Sequence, residues 1–189
     1  MARRWQRLAL VLTVVASASL SAGCSVRPQS HPVVLPSQPG VARADRPGDG
    51  TPTPAPVTVF WLTGGRLVAA AKRVPGGGLG AAMTALATGP SPAERRAGLR
   101  SALPPGLSHL DVSVSRGVVT VTVPPGFDQL GPDRQVAAMA QLVYTAMAQP
   151  GLVGVALADD TGPVDIPVDG GRLVPGPVTR SDYRDVAPR

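Results

Sequence analysis

Apolar residues run together near the start of the chain, thin out through a proline-rich stretch, and recur from Val57 with alternating and helical spacings. Val57-Thr-Val-Phe-Trp-Leu-Thr alternates loosely and is rich in β-branched and aromatic residues, which predicts a strand. Gly64-Gly65 supplies a tight turn, and Arg66 to Val74 returns as a second strand. Pro75-Gly76-Gly77-Gly78 breaks the pattern; no Gly-Lys-Ser/Thr follows, so the glycine run reads as a loop and not as a phosphate cradle. Leu79 to Thr88 predicts a helix stopped by Gly89-Pro90. Ser91-Pro92-Ala93-Glu94 predicts a further short helix ending near Gly98, with serine as cap, proline in the first turn and glutamate closing a capping box.

After Pro104-Pro105-Gly106, the segments Leu110–Ser115 and Val118–Val123 alternate with period two around an Arg116-Gly117 turn, placing Leu110, Val112 and Val114 on one face. A longer helix is expected from Pro132 to about Ala148, with Val136, Met139, Ala140, Val143 and Met147 forming the stripe that packs on the sheet. Its methionines read as core filler. Leu152–Ala158 and Val164–Val168 predict a closing strand pair around the Asp159–Gly162 turn. The tail after Gly170-Gly171 is polar or proline-containing and is expected to be only partly ordered. The expected fold class is α+β: a single small domain with a mostly antiparallel sheet packed by two helices, β-β-α-β-β-α-β-β, over residues 57–169, with 170–189 as a C-terminal tail.

The first 23 residues have the layout of a secretory signal peptide. Arg3, Arg4 and Arg7 form a positive region without an acidic residue, and an apolar run of about a dozen residues follows, short of the ~20 needed to cross a bilayer. Leu20-Ser21-Ala22-Gly23-Cys24 resembles the bacterial lipobox, and the only cysteine of the chain falls on its invariant position. The resemblance implies cleavage between Gly23 and Cys24 and diacylglycerol on the Cys24 thiol, whose two acyl chains anchor stably where one would not. The expected location is the cell membrane, lipid-anchored on its extracytoplasmic face. Arg3-Arg4 leaves the export route, general or twin-arginine, open. Residues 24–56 then carry Pro28, Pro32, Pro36, Pro39, Pro47, Pro52, Pro54 and Pro56, a density that blocks helix and central strand and predicts a semi-rigid tether. Val33-Val34-Leu35 and His31 read as parts of that linker.

Composition narrows the function classes. Of 189 residues, 43% are hydrophobic and 16% charged, with 22 Gly and 22 Pro, which fits one folded domain with appended loop and linker. The net charge of +6 falls to +3 once the three N-terminal arginines are removed, and no basic stripe remains, so no nucleic-acid partner is expected. Aromatics at 3% disfavour a base-stacking surface. One cysteine and two histidines exclude an internal disulfide and a multi-cysteine zinc site, and no metal or cofactor is expected.

From Val57 to Val168 the residues resemble the GerMN domain found in bacterial envelope lipoproteins. The resemblance rests on Ala85-Leu86 with Gly89-Pro90 and Glu94, then Gly98-Leu99-Arg100 with Leu103-Pro104-Pro105-Gly106. It continues through the Gly117 hairpin, Gln141-Leu142-Val143-Tyr144-Thr145 and Gly154-Val155. It implies an α/β sandwich and a non-catalytic binding or scaffolding module in envelope protein assembly. The partner would be an envelope protein or cell-wall component, with self-association as a subsidiary expectation. One alternative is a cell-wall-modifying enzyme using His109 near Asp111, with Ser101, Ser108 or Ser113 as nucleophile or Glu94 with an aspartate as a carboxylate pair. Another is a carrier of small apolar ligands. The residues favour neither: Glu94 reads as a cap and the aspartates as solvent-face or turn residues.

Overall fold

The computed structural model describes residues 52–189. The predicted signal peptide, Cys24, His31 and the tether up to Thr51 lie outside the described residues.

A β-hairpin opens the fold: β1 (Pro54–Thr63) pairs antiparallel with β2 (Arg66–Pro75) through the Gly64-Gly65 turn. β1 therefore begins inside the segment expected to be tether. The prolines fit because backbone groups of even-numbered residues in β1 point away from β2: Phe60 bonds to side chains outside the hairpin, and Leu62 pairs with Arg100 at 2.9 and 2.8 Å. Pro54 and Pro56 share that parity, so their missing N–H groups remove no rung of the ladder. The loop to the next helix passes close to β1. A Cβ on Gly77 would lie 2.7 Å from Ala55 Cβ, which accounts for part of the glycine run without a phosphate.

Helix α1 (Gly78–Thr88) and the short α2 (Pro92–Arg96) follow, at the expected positions. β3 (Val112–Ser115) and β4 (Val118–Thr122) form the expected hairpin, and α3 (Pro132–Ala146) leads to β5 (Gly154–Asp159). β4 and β5 pair in parallel, the exception in an otherwise antiparallel architecture, because α3 serves as the crossover between them. β6 (Gly162–Val164) completes a four-stranded sheet of order β3-β4-β5-β6.

Several details differ from expectation for identifiable reasons. Residues 138–146 of α3 are all buried, so the helix is embedded among β1, α1, β5 and β7 (Ile166–Val168) and does not lie with one stripe on a sheet. Along the Leu110-Val112-Val114 face burial fades from a buried leucine to a valine 52% exposed, because β3 is a sheet edge whose hairpin projects past the core. The expected strand Val164–Val168 divides at Asp165: β6 pairs with β5, whereas β7 pairs with β8 (Arg172–Val174) in a separate two-stranded sheet.

The tail is ordered and integral to the packing, against the expectation for residues 170–189. Val178 exchanges backbone hydrogen bonds with Val155 at 2.8 and 2.9 Å, and Leu67 N–H donates to Val186 C=O at 2.8 Å. Tyr183 is fully buried and its hydroxyl donates to Pro167 C=O at 3.0 Å. One aromatic plug and two backbone dockings hold a segment whose sequence carries neither a two-residue nor a helical period.

Candidate functional site

The polar cluster considered for catalysis does assemble in part. Ser108 Oγ lies 3.1 Å from His109 Nδ1, and His109 Nε2 lies 3.6 Å from Asp111 Oδ1, beside a cleft of about 430 Å³ also lined by Gly106, Thr122 and Pro124. A triad needs a carboxylate that orients the imidazole through a short hydrogen bond in a water-poor setting. Here the carboxylate contact is longer than a hydrogen bond, and the His109 and Asp111 side chains are 65% and 74% exposed. Ser101 lies elsewhere and accepts from Leu103 N–H, and Ser113 stands on exposed β3. The serine, histidine and aspartate meet without the support that would hold one reactive geometry.

Glu94 takes the capping role expected of it, and more. Ser91 Oγ accepts from Glu94 N–H at 3.2 Å while the carboxylate accepts from Ser91 N–H at 2.6 Å, closing the box at the start of α2. The same carboxylate accepts from Trp61 Nε1–H at 3.3 Å and pairs with Lys72 Nζ at 3.1 Å, while Lys72 lies 5.1 Å over the Trp61 ring. Burial alone would raise its pKa. The Ser91 N–H bond, then the Lys72 and Ser91 side chains, outweigh that and bring it down to about 2. This knot ties α2 to both strands of the first hairpin. Lys72 was not singled out from the sequence, since nothing in its spacing reveals a partner on another element.

A second polar arrangement, also unforeseen, sits in the interior. Gln141 and Thr145, one turn apart on α3, are both fully buried. Thr145 Oγ1 accepts from Phe60 N–H at 3.1 Å, and Gln141 Nε2 donates to Phe60 C=O at 2.8 Å while its Oε1 accepts from Ala102 N–H at 2.7 Å. The two side chains thus satisfy the open edge of β1 where no strand does. Arg180 adds its guanidinium 5.8 Å over Phe60 and 5.1 Å over Tyr144.

The larger surface depression, about 630 Å³, lies between the end of β2 and α1. Lys72 and Val74 form one wall, and Ala81, Thr84, Ala85 and Thr88 the other. Small side chains on α1 leave it open.

Fold and sites together define a small α+β module whose interior polar groups fasten its elements to one another. The chain belongs to the Germane family, described as sporulation and spore germination, whose family model matches residues 51–174. Its fold is similar to that of the first GerMN domain of the sporulation protein GerM from Bacillus subtilis, with a TM-score of 0.55 and 17% sequence identity over 68% of this chain and 99% of that one. The tandem GerMN domains of the same protein match with a TM-score of 0.43 and 18% identity over 70% of this chain and 51% of theirs. No curated protein matches the chain. The domain is thus of the GerMN type, as its sequence motifs indicated, and Pro175–Arg189 lie past the family match.

Proposed function

We propose that this chain is a membrane-anchored extracytoplasmic lipoprotein whose GerMN-type domain acts as a non-catalytic binding or scaffolding module for proteins of the cell envelope. The observation that carries the reading is the coincidence of the sole cysteine with the lipobox Leu20-Ser21-Ala22-Gly23-Cys24 behind an arginine-led apolar run. A proline-rich spacer from Ser25 to the start of β1 supports it, since such a segment holds a domain away from a lipid surface. The family's description, sporulation and spore germination, supports an envelope role. The exposed Ser108–His109–Asp111 group, with no short carboxylate contact, supports a function by binding rather than by chemistry.

The test is substitution of Cys24 by serine, with fractionation of cells that make and export the protein. The wild-type chain is expected in the detergent-soluble membrane fraction and the variant in the aqueous fraction. Equal membrane retention of an exported variant overturns the anchor. Crosslinking in intact cells is expected to enrich defined envelope proteins around the wild-type chain. Enrichment of none overturns the scaffolding role.

A further inference from the structure

We propose that the free edge of β3 pairs antiparallel with β3 of a second copy of this chain, joining two four-stranded sheets into one across a two-fold axis at Ser113. The direction of the backbone groups is the first observation. Thr122 N–H donates to Asp111 C=O at 3.0 Å, and the register sets Ser113 opposite Thr120 and Ser115 opposite Val118. Odd-numbered residues of β3 therefore bond to β4, and the N–H and C=O groups of Val112 and Val114 point outward. They have no backbone partner on that side among the described residues. A row of open donors and acceptors on an edge strand is a template for another strand.

The other described strands have their outer edges blunted. Gln141, Thr145 and Arg100 occupy that of β1. β2 carries Lys72 and Arg73, β6 and β7 carry Pro163 and Pro167, and β8 carries Arg172. Such charges and prolines discourage edge-to-edge pairing. β3, Val-Ser-Val-Ser, has neither, and Val114 leaves 52% of its surface exposed beside the open backbone.

The occupant follows from the strand's own symmetry and charge. Only outward-facing residues can bond across the new seam, so Val112 pairs with the partner's Val114, Val114 with the partner's Val112, and Ser113 with itself. Residues opposite each other share a face, so the four valines extend the apolar side formed by Val119 and Val121. The strand is bracketed by Asp111 at its start and Arg116 after its end, both exposed. Arg116 has no acidic partner among the described residues, and the contact of Asp111 with His109 is 3.6 Å. Antiparallel pairing places each Asp111 opposite the partner's Ser115, next to the partner's Arg116, so opposite charges meet at both ends of the seam. Parallel pairing would set like charges together. A seam of four residues a side is small for a permanent dimer and fits a reversible contact. It requires no lipid on Cys24, so it stands or falls apart from the anchor.

Disulfide capture on the purified, exported Cys24→Ser chain tests it, since that chain carries no other thiol. Ser113→Cys and Ser115→Cys are both exposed positions on β3. Across the proposed seam two copies of residue 113 lie ~4.5 Å apart at Cα, within reach of a disulfide, whereas two copies of residue 115 lie roughly 14 Å apart. Under mild oxidation Ser113→Cys should form covalent dimer at least tenfold faster than Ser115→Cys. Adding Val114→Lys to Ser113→Cys should slow capture at least fivefold. Asp111→Arg or Arg116→Asp should each slow it as well, and the two together should restore it, because the exchange rebuilds opposite charges at both ends. Circular dichroism reports that each variant is folded. Equal capture at residues 113 and 115 overturns the seam, as does a rate unmoved by Val114→Lys. A double charge exchange slower than either single one overturns the antiparallel pairing.

Discussion

Gln141 holds the backbone of Phe60 from the side, its Nε2–H donating to the Phe60 carbonyl at 2.8 Å while its Oε1 accepts Ala102 N–H at 2.7 Å. One buried amide thereby fastens β1 and the Ala102 loop to the central helix. Replacing it by leucine preserves volume but leaves a donor and an acceptor unpaired in the interior, which costs about 2–4 kcal/mol. Thr145→Val removes the acceptor of Phe60 N–H and should cost about 1–2 kcal/mol. Both act on the same residue, so the double variant should lose less or more than the sum by at least ~0.5 kcal/mol. Urea unfolding with an unchanged slope is the measurement; a Gln141→Leu variant as stable as wild type would contradict the assignment.

The Glu94 knot predicts a stability change in acid. Its carboxyl is held at about 2 against an ordinary value of 4.5, so the folded state binds the proton more weakly than the unfolded chain. The stabilisation is complete above the unfolded value and is lost as pH falls from about 4.5 toward 2. With the side chain 21% exposed, solvent screening reduces the contribution to on the order of 1–2 kcal/mol. Glu94→Gln should flatten the acid limb of the melting-temperature profile in this window. Lys72→Met should flatten it only in part, because the Ser91 bonds remain.

Those two arrangements mark what the sequence carries and what it does not. The hairpin turns, the Ser91–Glu94 cap and the long helix are local features: each depends on residues within a few positions and stands where the pattern put it. What escaped is long-range. The partners of Gln141 lie 81 and 39 positions away, and the contact of Glu94 with Trp61 spans 33. A glutamine in a helix otherwise apolar over Met139–Val143 carries a faint signal, since a buried amide demands partners, but the sequence does not say which. The Ser108–His109–Asp111 cluster shows the converse, for adjacency brought the groups together without giving them a buried, oriented setting.

Tyr183 predicts how far the tail contributes. Its ring is fully buried, so Tyr183→Ala should cost about 3–5 kcal/mol and loosen the docking of Val178 and Val186. Tyr183→Phe keeps the packing but strands Pro167 C=O, for about 1–2 kcal/mol. Burial also pushes the Tyr183 phenol above its ordinary value of 10.0, and that of Tyr144 in the same direction. A raised folded pKa gives stability that is complete below the unfolded value and is lost as pH rises past it, so the wild type should lose stability above about pH 10. Tyr183→Phe should show a shallower alkaline decline, read from unfolding curves between pH 9 and 11.

The β3–β4 turn offers a change in the opposite direction. Arg116 has φ 50° and Gly117 φ 80°, the left-handed pair that a two-residue hairpin turn needs, and Arg116 is the only described non-glycine residue with positive φ. A long side chain gains nothing from that conformation, whereas asparagine occupies it readily and is preferred before glycine in such turns. Arg116→Asn should stabilise the domain by roughly 0.5–1 kcal/mol, raising the melting temperature by about 2–5 °C. Gly117→Ala should destabilise by more than that gain: its φ disfavours any Cβ, and the added atom would meet Gly151 C=O at 3.0 Å. If Arg116→Asn left the melting temperature unchanged or lowered it, the turn would not be strained and the register of the hairpin would be set by its valines alone.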